Sequence, residues 1–310
     1  MPPPKRVLSI SAMSGERDQP SKSAIFRARL TSTLILWAIV TSVFVSQNAW
    51  AFVGLIGLLV ILGSLEFLSL FRGCEGRGAR VVGVGVGVVV VLVGALSFVL
   101  GRELDLFLLI TLGFVLVVLV SFCWQFRVEI QGRESVTAVS DALLGYVYIP
   151  ILFGVFSLKL LFLPDLESQV PGAWLILMMI ASAKFTDMGA YVTGSLIGKH
   201  KMAPHISPAK TWEGFAGALV FAQIAAWGIW KLGGPTLSWI TPLHVAILGG
   251  LMALSAVAGD LAESILKRSL GIKDSGALMP GIGGVLDLID SLCFAAPVMY
   301  FYLVFSDLVG

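Results

Sequence analysis

About nine stretches of apolar residues follow one another along this chain, at about 30–48, 49–71, 81–100, 106–124, 142–163, 172–197, 212–232, 243–262 and 291–309. Each is near the ~20 residues that an α-helix needs to cross a bilayer. The runs are rich in Leu, Val, Ala and Gly and lack the ten-residue alternation of a membrane barrel, so the spans are expected to be helices. Composition agrees: 57% of residues are hydrophobic, against roughly 45–50% in soluble domains, and the mean hydropathy is +0.93. The expected fold class is all-α, a polytopic integral membrane helical bundle of about nine transmembrane helices.

In such a chain charge reports topology. The formal net charge is only +2, and the basic residues are scattered over several loops rather than gathered into a stripe, so nucleic-acid binding is disfavoured. Lys and Arg crowd the segments that would all face one side: the tail, Arg72, Arg77 and Arg80, Arg127 and Arg133, Lys199, Lys201 and Lys210, and Lys267, Arg268 and Lys273. By the positive-inside rule this predicts an N-terminus inside and a C-terminus outside. Residues 1–29, with Pro2, Pro3 and Pro4 and no apolar period, read as a flexible cytoplasmic tail. A cleaved leader ending at Ala49-Trp50-Ala51 would need too long a basic region ahead of its apolar run. Cys74, Cys123 and Cys293 have no ligand spacing and read as structural thiols. The expected organisation is a tail over 1–29, N-terminal membrane helices over 30–141, and a C-terminal catalytic membrane region over 142–310.

The first four spans read as packing material. Gly83, Gly85 and Gly87 in VVGVGVGVVV offer small surfaces for close helix approach. Glu66, near the end of the second span, reads as a solvated acid, and Gln125–Asp141 as a long mixed loop with room for an interfacial helix.

Polar residues concentrate later in the chain. Lys184, Thr186 and Asp187 lie inside the sixth apolar run, where burial is costly unless they are paired or wet. At i and i+3, Lys184 and Asp187 either compensate each other or line a hydrated site. The loop GKHKMAPHISPAKTWEG, with Ser207, Lys210 and Thr211 ahead of a helix, is an anion site or a solvated basic loop. From Gly259 to Ser291 the chain carries Asp260, Glu263, Lys267, Arg268, Lys273, Asp287 and Asp290, with a PGIGG turn holding Gly283 and Gly284. Asp260 ends the eighth span, and Asp287 and Asp290 open the ninth on one helical face. Clustered carboxylates suit a hard cation such as Mg²⁺ that keeps some positions for substrate phosphates. The glycine turn would let phosphate approach backbone amides.

These residues resemble the signatures of the phosphatidate cytidylyltransferases, the CDP-diacylglycerol synthases. The likeness is carried by Ser264, Lys267, Arg268, Lys273, Asp274, Gly276, Pro280, Gly283, Gly284, Asp287 and Asp290, by Ser207, Pro208, Lys210, Thr211, Glu213 and Gly214, and by Asp187, Gly189, Ala190 and Tyr191. It covers roughly residues 180–295. Ile282 stands where that family has His, Leu288 where it has Arg, and Ala209 where it has a first Lys. The resemblance implies transfer of a cytidylyl group from CTP to phosphatidic acid at the cytoplasmic face of the bilayer, in phospholipid biosynthesis. It implies Asp260, Asp287, Asp290 and Asp187 as metal ligands for Mg²⁺, with a monovalent cation as a candidate second ion. It further implies Asp287, Asp290, Lys267 and Arg268 as catalytic, and Ser207, Lys210, Thr211, Lys273, Gly283 and Gly284 as substrate-binding. A homodimer is implied by resemblance alone.

Two other classes compete. An ion-coupled transporter would also bury Lys184 and Asp187, but no second copy of the KFTD span or the glycine turn occurs in the first half. A non-catalytic phosphatidate-binding protein would tolerate Ile282 and Leu288 and would not consume CTP.

Overall fold

The computed structural model describes residues 22–71, 77–102, 104–127, 129–130, 132–163, 172–272, 276 and 283–308. These form helices α1 (Lys22–Ser46), α2 (Ala49–Leu70), α3 (Arg77–Val99), α4 (Leu106–Gln125), α5 (Arg133–Leu161), α6 (Ala173–Ile197), α7 (Trp212–Gly233), α8 (Pro242–Ser269) and α9 (Val285–Phe305). Eight of them, α2 to α9, are long and apolar enough to cross a membrane. In α1 the apolar stretch among the described residues is Leu34–Ser46, shorter than the span expected over 30–48. The break between the first two spans falls where expected. Asn48 caps α2 by accepting the Trp50 N–H at 2.9 Å, as an N-cap amide should. Asp105 does the same for α4, accepting from Phe107 and Leu108.

The start of the fifth span also differs from the expectation. The mixed segment after Gln125 is no loop along its whole length, because α5 begins at Arg133 and runs continuously into the fifth span. An ion pair ties α5 to α3: Arg80 of α3, 2% exposed, meets the partly exposed Asp141 at 2.8 Å and lies 4.9 Å from the Phe71 ring centroid. Arg80 is therefore a packed residue rather than a solvated loop base. Further along, Val147–Val155 winds as a π-helix around Pro150. Proline has no N–H for the ladder, so the widened turn accommodates it.

The glycine stripe of α3 is divided in its use. A Cβ on Gly83 would collide with the Ala142 carbonyl, and one on Gly87 would lie 2.7 Å from Pro150, whereas Gly85 faces open space. Two of the three glycines thus bring α3 against α5. A second close pair is α6 with α7, where a Cβ on Gly189 would stand 2.6 Å from the Gly217 carbonyl and one on Gly214 2.9 Å from the Ala190 carbonyl. Between those helices, the segment expected as a loop folds into an antiparallel hairpin of β1 (Lys201–Ala203) and β2 (Ser207–Thr211), pairing Lys201 with Thr211 and Ala203 with Ser207.

Towards the C-terminus, α8 continues past the expected end at 262 to Ser269, and α9 begins at Val285 rather than 291. One continuous apolar cluster runs through the bundle, from Phe67 and Val60 on α2 through Tyr146 and Ile149 on α5 to Ile289 and Met299 on α9. Outward-facing Phe107, Leu108 and Leu196 stay exposed, as helices surrounded by lipid should leave them.

Candidate active site

The polar residues gather where α8 and α9 cross. Helix α8 has no glycine or proline between Asp260 and Gly271, so it carries its polar residues for two more turns. Gly271, with φ 69°, then closes it in a left-handed conformation. Asp260, Glu263 and Lys267 consequently share one face at i, i+3 and i+7. Gly259 makes the crossing close, since a Cβ there would sit 2.5 Å from the Asp290 carbonyl.

At this crossing the carboxylates of Asp260, Glu263 and Asp290 lie within 4.8 Å of one another. Glu263 is 1% exposed and Asp290 4%. Glu263 Oε2 accepts from Lys267 Nζ at 2.9 Å, while its Oε1 is buried with no partner among the described residues. A buried carboxylate oxygen left this way is costly unless a cation or water meets it. Three oxygen donors so close together are the donor set that a hard divalent ion takes, and they fit Mg²⁺.

Asp287 sits beside this trio and is spent differently. Its Oδ1 accepts from Lys267 at 2.7 Å, and its Oδ2 accepts the Gly284 N–H at 2.8 Å, which caps α9. Gly283, with φ 119°, makes the turn into that cap. A Cβ there would also lie 2.6 Å from Asp287 Oδ2. The other end of the cap belongs to Glu66 of α2, whose Oε2 accepts the Leu286 N–H at 2.8 Å. Glu66 is thus no solvated helix-end acid.

Two further groups approach from α6 and β2. Lys184 gives its amine to the Leu288 carbonyl at 3.0 Å and stands 3.7 Å from Asp187. Lys210 on β2 forms an ion pair with Asp260. Thr211 caps α7, its hydroxyl oxygen accepting the Gly214 N–H at 3.1 Å. Glu213 pins the strand entry by accepting the backbone N–H of Lys199 at 3.1 Å and the ring Nδ1 of His200 at 2.6 Å. Arg268 is exposed, and Lys273, Asp274 and Ile282 lie outside the described residues.

Two openings lie near these groups. A cleft of about 340 Å³ carries Asp187, Ser207, Lys210, Thr211 and Asp260 among apolar side chains such as Met202, Phe215 and Val257. A mostly apolar groove of about 300 Å³ lies between α1, α2, α6 and α9, with Lys184 and Asp287 at its edge. Of the expected residues, Asp260, Asp290, Asp187, Asp287, Lys267 and Lys210 are brought into one neighbourhood. Glu263, Glu66 and Gly259 have structural parts at the centre that the linear pattern does not give them. For Glu263 a signal is present, since extending α8 to the next breaker puts it one turn beyond Asp260.

Residues 27–306 match the model of the Cytidylyltransferase family. The chain belongs to that family. Among its relatives are an uncharacterized protein, YnbB, of Escherichia coli (strain K12), 40% identical over 153 residues, which are 48% of this chain and 50% of that protein. A phosphatidate cytidylyltransferase of Mycobacterium bovis is 43% identical over 154 residues, 50% of this chain and 47% of the relative. Another, from Staphylococcus saprophyticus, is 32% identical over 203 residues, 66% of this chain and 71% of the relative. The chain spans about half the length of the first two of these relatives. As a cytidylyltransferase-family member it is an integral multi-pass membrane protein, with its polar residues gathered in one place on α8, α9, α6 and β2.

Proposed function

We propose that the protein is a phosphatidate cytidylyltransferase, converting CTP and phosphatidic acid to CDP-diacylglycerol and pyrophosphate. The observation that carries this reading is the trio Asp260, Glu263 and Asp290 with lysines on two sides, next to a cleft that holds Lys210, Ser207 and Thr211 and near an apolar groove that reaches Lys184 and Asp287. Such a place accepts a nucleotide from water and a lipid from the bilayer.

In the reaction an oxygen of the lipid phosphate attacks the α-phosphorus of CTP. One P–O bond forms, the α–β phosphoanhydride breaks, and pyrophosphate leaves with the electron pair. A phosphate monoester is largely dianionic near neutral pH, so no general base is required. The work is positioning and charge neutralisation. Asp260, Glu263 and Asp290 would hold Mg²⁺, with Asp187 and Asp287 next to them, and the ion would offset the charge of the triphosphate and of the departing pyrophosphate. A monovalent cation is a candidate second ion. Lys210 would pair with nucleotide phosphates in the cleft it lines, Ser207 and Thr211 would donate hydroxyl protons there, and Lys267 would fix Glu263 and Asp287 in place. Arg268, Lys273, Gly283 and Gly284 complete the proposed substrate set on the strength of the family motif.

The placement of Lys and Arg supports a cytoplasmic active face, where CTP is found. A homodimer, and a division into N-terminal helices over 30–141 and a catalytic region over 142–310, belong to the same proposal. The test is turnover. Protein purified in detergent is supplied with CTP, Mg²⁺ and phosphatidic acid, and pyrophosphate and nucleotide-bearing lipid are followed. Product that requires all three and collapses in Asp290→Asn supports the reading; folded protein that gives none overturns it.

A further inference from the structure

The groove between α1, α2, α6 and α9 is walled by side chains such as Leu36, Trp37, Leu55, Leu59 and Leu292, and its polar lining is Lys184 and Asp287. Asp287 already serves Lys267 and the Gly284 N–H. The Lys184 amine is differently placed. An ammonium has three protons, and Lys184 directs one to the Leu288 carbonyl at 3.0 Å while standing 3.7 Å from the Asp187 carboxylate. Donor capacity is left at the edge of an apolar groove.

We propose that Lys184 binds the phosphate of the lipid substrate while the groove takes up the adjoining acyl chain. Charge complementarity argues for this occupant. With Leu288 and Asp187 on two sides of the amine, an uncharged lipid would offer no anion to its remaining proton, and a free nucleotide would gain nothing from leucine walls. A lipid phosphomonoester satisfies both ends. The position of Leu288 gives the arrangement a reason in this chain. Where the family motif has an arginine, α9 presents an aliphatic side chain and a carbonyl, and that carbonyl orients an amine delivered from α6. The cation is supplied from the neighbouring helix.

This inference rests on the proposed reaction for its substrate, so its test has two readouts. The first is steady-state kinetics on the full chain, with CTP and phosphatidic acid varied separately. Lys184→Met is expected to raise the KM for phosphatidic acid by about tenfold or more, the loss of a hydrogen bond to a charged group. The KM for CTP should stay within about twofold. Lys184→Arg should stay close to the parent, and adding Leu288→Arg to Lys184→Met should recover part of the loss. The second readout needs no turnover: native mass spectrometry of detergent-purified protein counts retained phosphatidic acid against phosphatidylcholine. The parent should prefer phosphatidic acid, and Lys184→Met should lose the preference. If Lys184→Met does not fold, Leu55→Trp, which narrows the groove, should lower retention of both lipids without moving the KM for CTP. Turnover with lipid preference and KM unchanged in Lys184→Met, or retention unchanged in Leu55→Trp, overturns the inference and leaves the reaction standing. Lipid preference that depends on Lys184 without any turnover in the parent overturns the reaction and leaves the inference standing.

Discussion

The carboxylate of Glu66 accepts the backbone N–H of Leu286 at 2.8 Å, across 220 residues of sequence. Helix α2 therefore holds the first turn of α9, the turn that carries Asp287 and leads to Asp290. A carboxylate at a helix N-terminus also meets the positive end of the helix dipole. Gly276 closes against the same group, since a Cβ there would lie 2.6 Å from Glu66 Oε1. Glu66→Ala should strand the Leu286 N–H and destabilise the protein by about 1–3 kcal/mol, seen as a lower melting temperature in detergent. Turnover should fall with it. Glu66→Gln keeps an acceptor and should lose less on both measures. Equal behaviour of the two variants would mean that the cap does not set the position of α9.

Gly259 and Gly85 should respond in opposite directions to the same substitution. Alanine at Gly259 pushes a methyl to within 2.5 Å of the Asp290 carbonyl, so α8 and α9 must separate where the carboxylates meet. Overpacking of this kind costs about 1–3 kcal/mol. Gly85 sits inside α3, and a methyl group there would meet nothing within 4 Å. Alanine at this position should be neutral or stabilising, by up to about 1 kcal/mol from helix propensity. Thermal melts of both variants, with turnover alongside, check the pair.

Arg80 and Asp141 should show the asymmetry of an ion pair whose arginine is buried and whose aspartate is partly exposed. Removing the buried partner leaves a charge that water reaches only in part, so the cost falls below the ~3–5 kcal/mol of a fully buried pair, whereas replacing both with apolar residues can be close to neutral. Arg80→Met alone should therefore melt well below the parent. The double variant Arg80→Met with Asp141→Leu should recover most of the loss, and a double variant as unstable as the single one would contradict this account.

Much of the bundle can be read from local pattern. Hydropathy locates the spans, and Asn48 marks the break between the first two because an amide ahead of an apolar run is an N-cap. The displaced boundaries share a cause. Hydropathy reports where lipid stops, not where helix stops, so it ends α8 near 262 although no breaker occurs before Gly271, and it begins α5 at 142 although Arg133 already starts the helix. Glu263 is visible as a charge, but its place on the face of Asp260 is lost with the missing turns of α8. Glu66 with Leu286 and Arg80 with Asp141 are pairings across 220 and 61 residues, and no window of local sequence contains such a pair. Asp260 and Asp290 stand out because carboxylates in a chain with 13% charged residues are conspicuous. Their approach depends on Gly259, whose role only the crossing of two helices reveals.

Glu263 and Asp287 are expected to separate metal binding from helix positioning. Glu263 belongs to the carboxylate trio and has one buried oxygen without a partner among the described residues. Asp287 is bonded to Lys267 and to the N-terminus of α9. Glu263→Gln removes a charge with little change in size, so it should weaken the divalent ion most. The stabilisation by ligand follows RT ln(1 + [L]/Kd), and a tenfold weaker site loses about 1.4 kcal/mol of it at saturating ion. In Glu263→Gln the rise in melting temperature on adding Mg²⁺ should shrink, and the Mg²⁺ needed for half-maximal turnover should increase. Asp287→Asn should instead lower the melting temperature without Mg²⁺, because the cap and the Lys267 contact are weakened, while its response to Mg²⁺ stays nearer the parent's. If the two variants exchange these behaviours, Asp287 is the metal ligand and Glu263 the structural partner of Lys267.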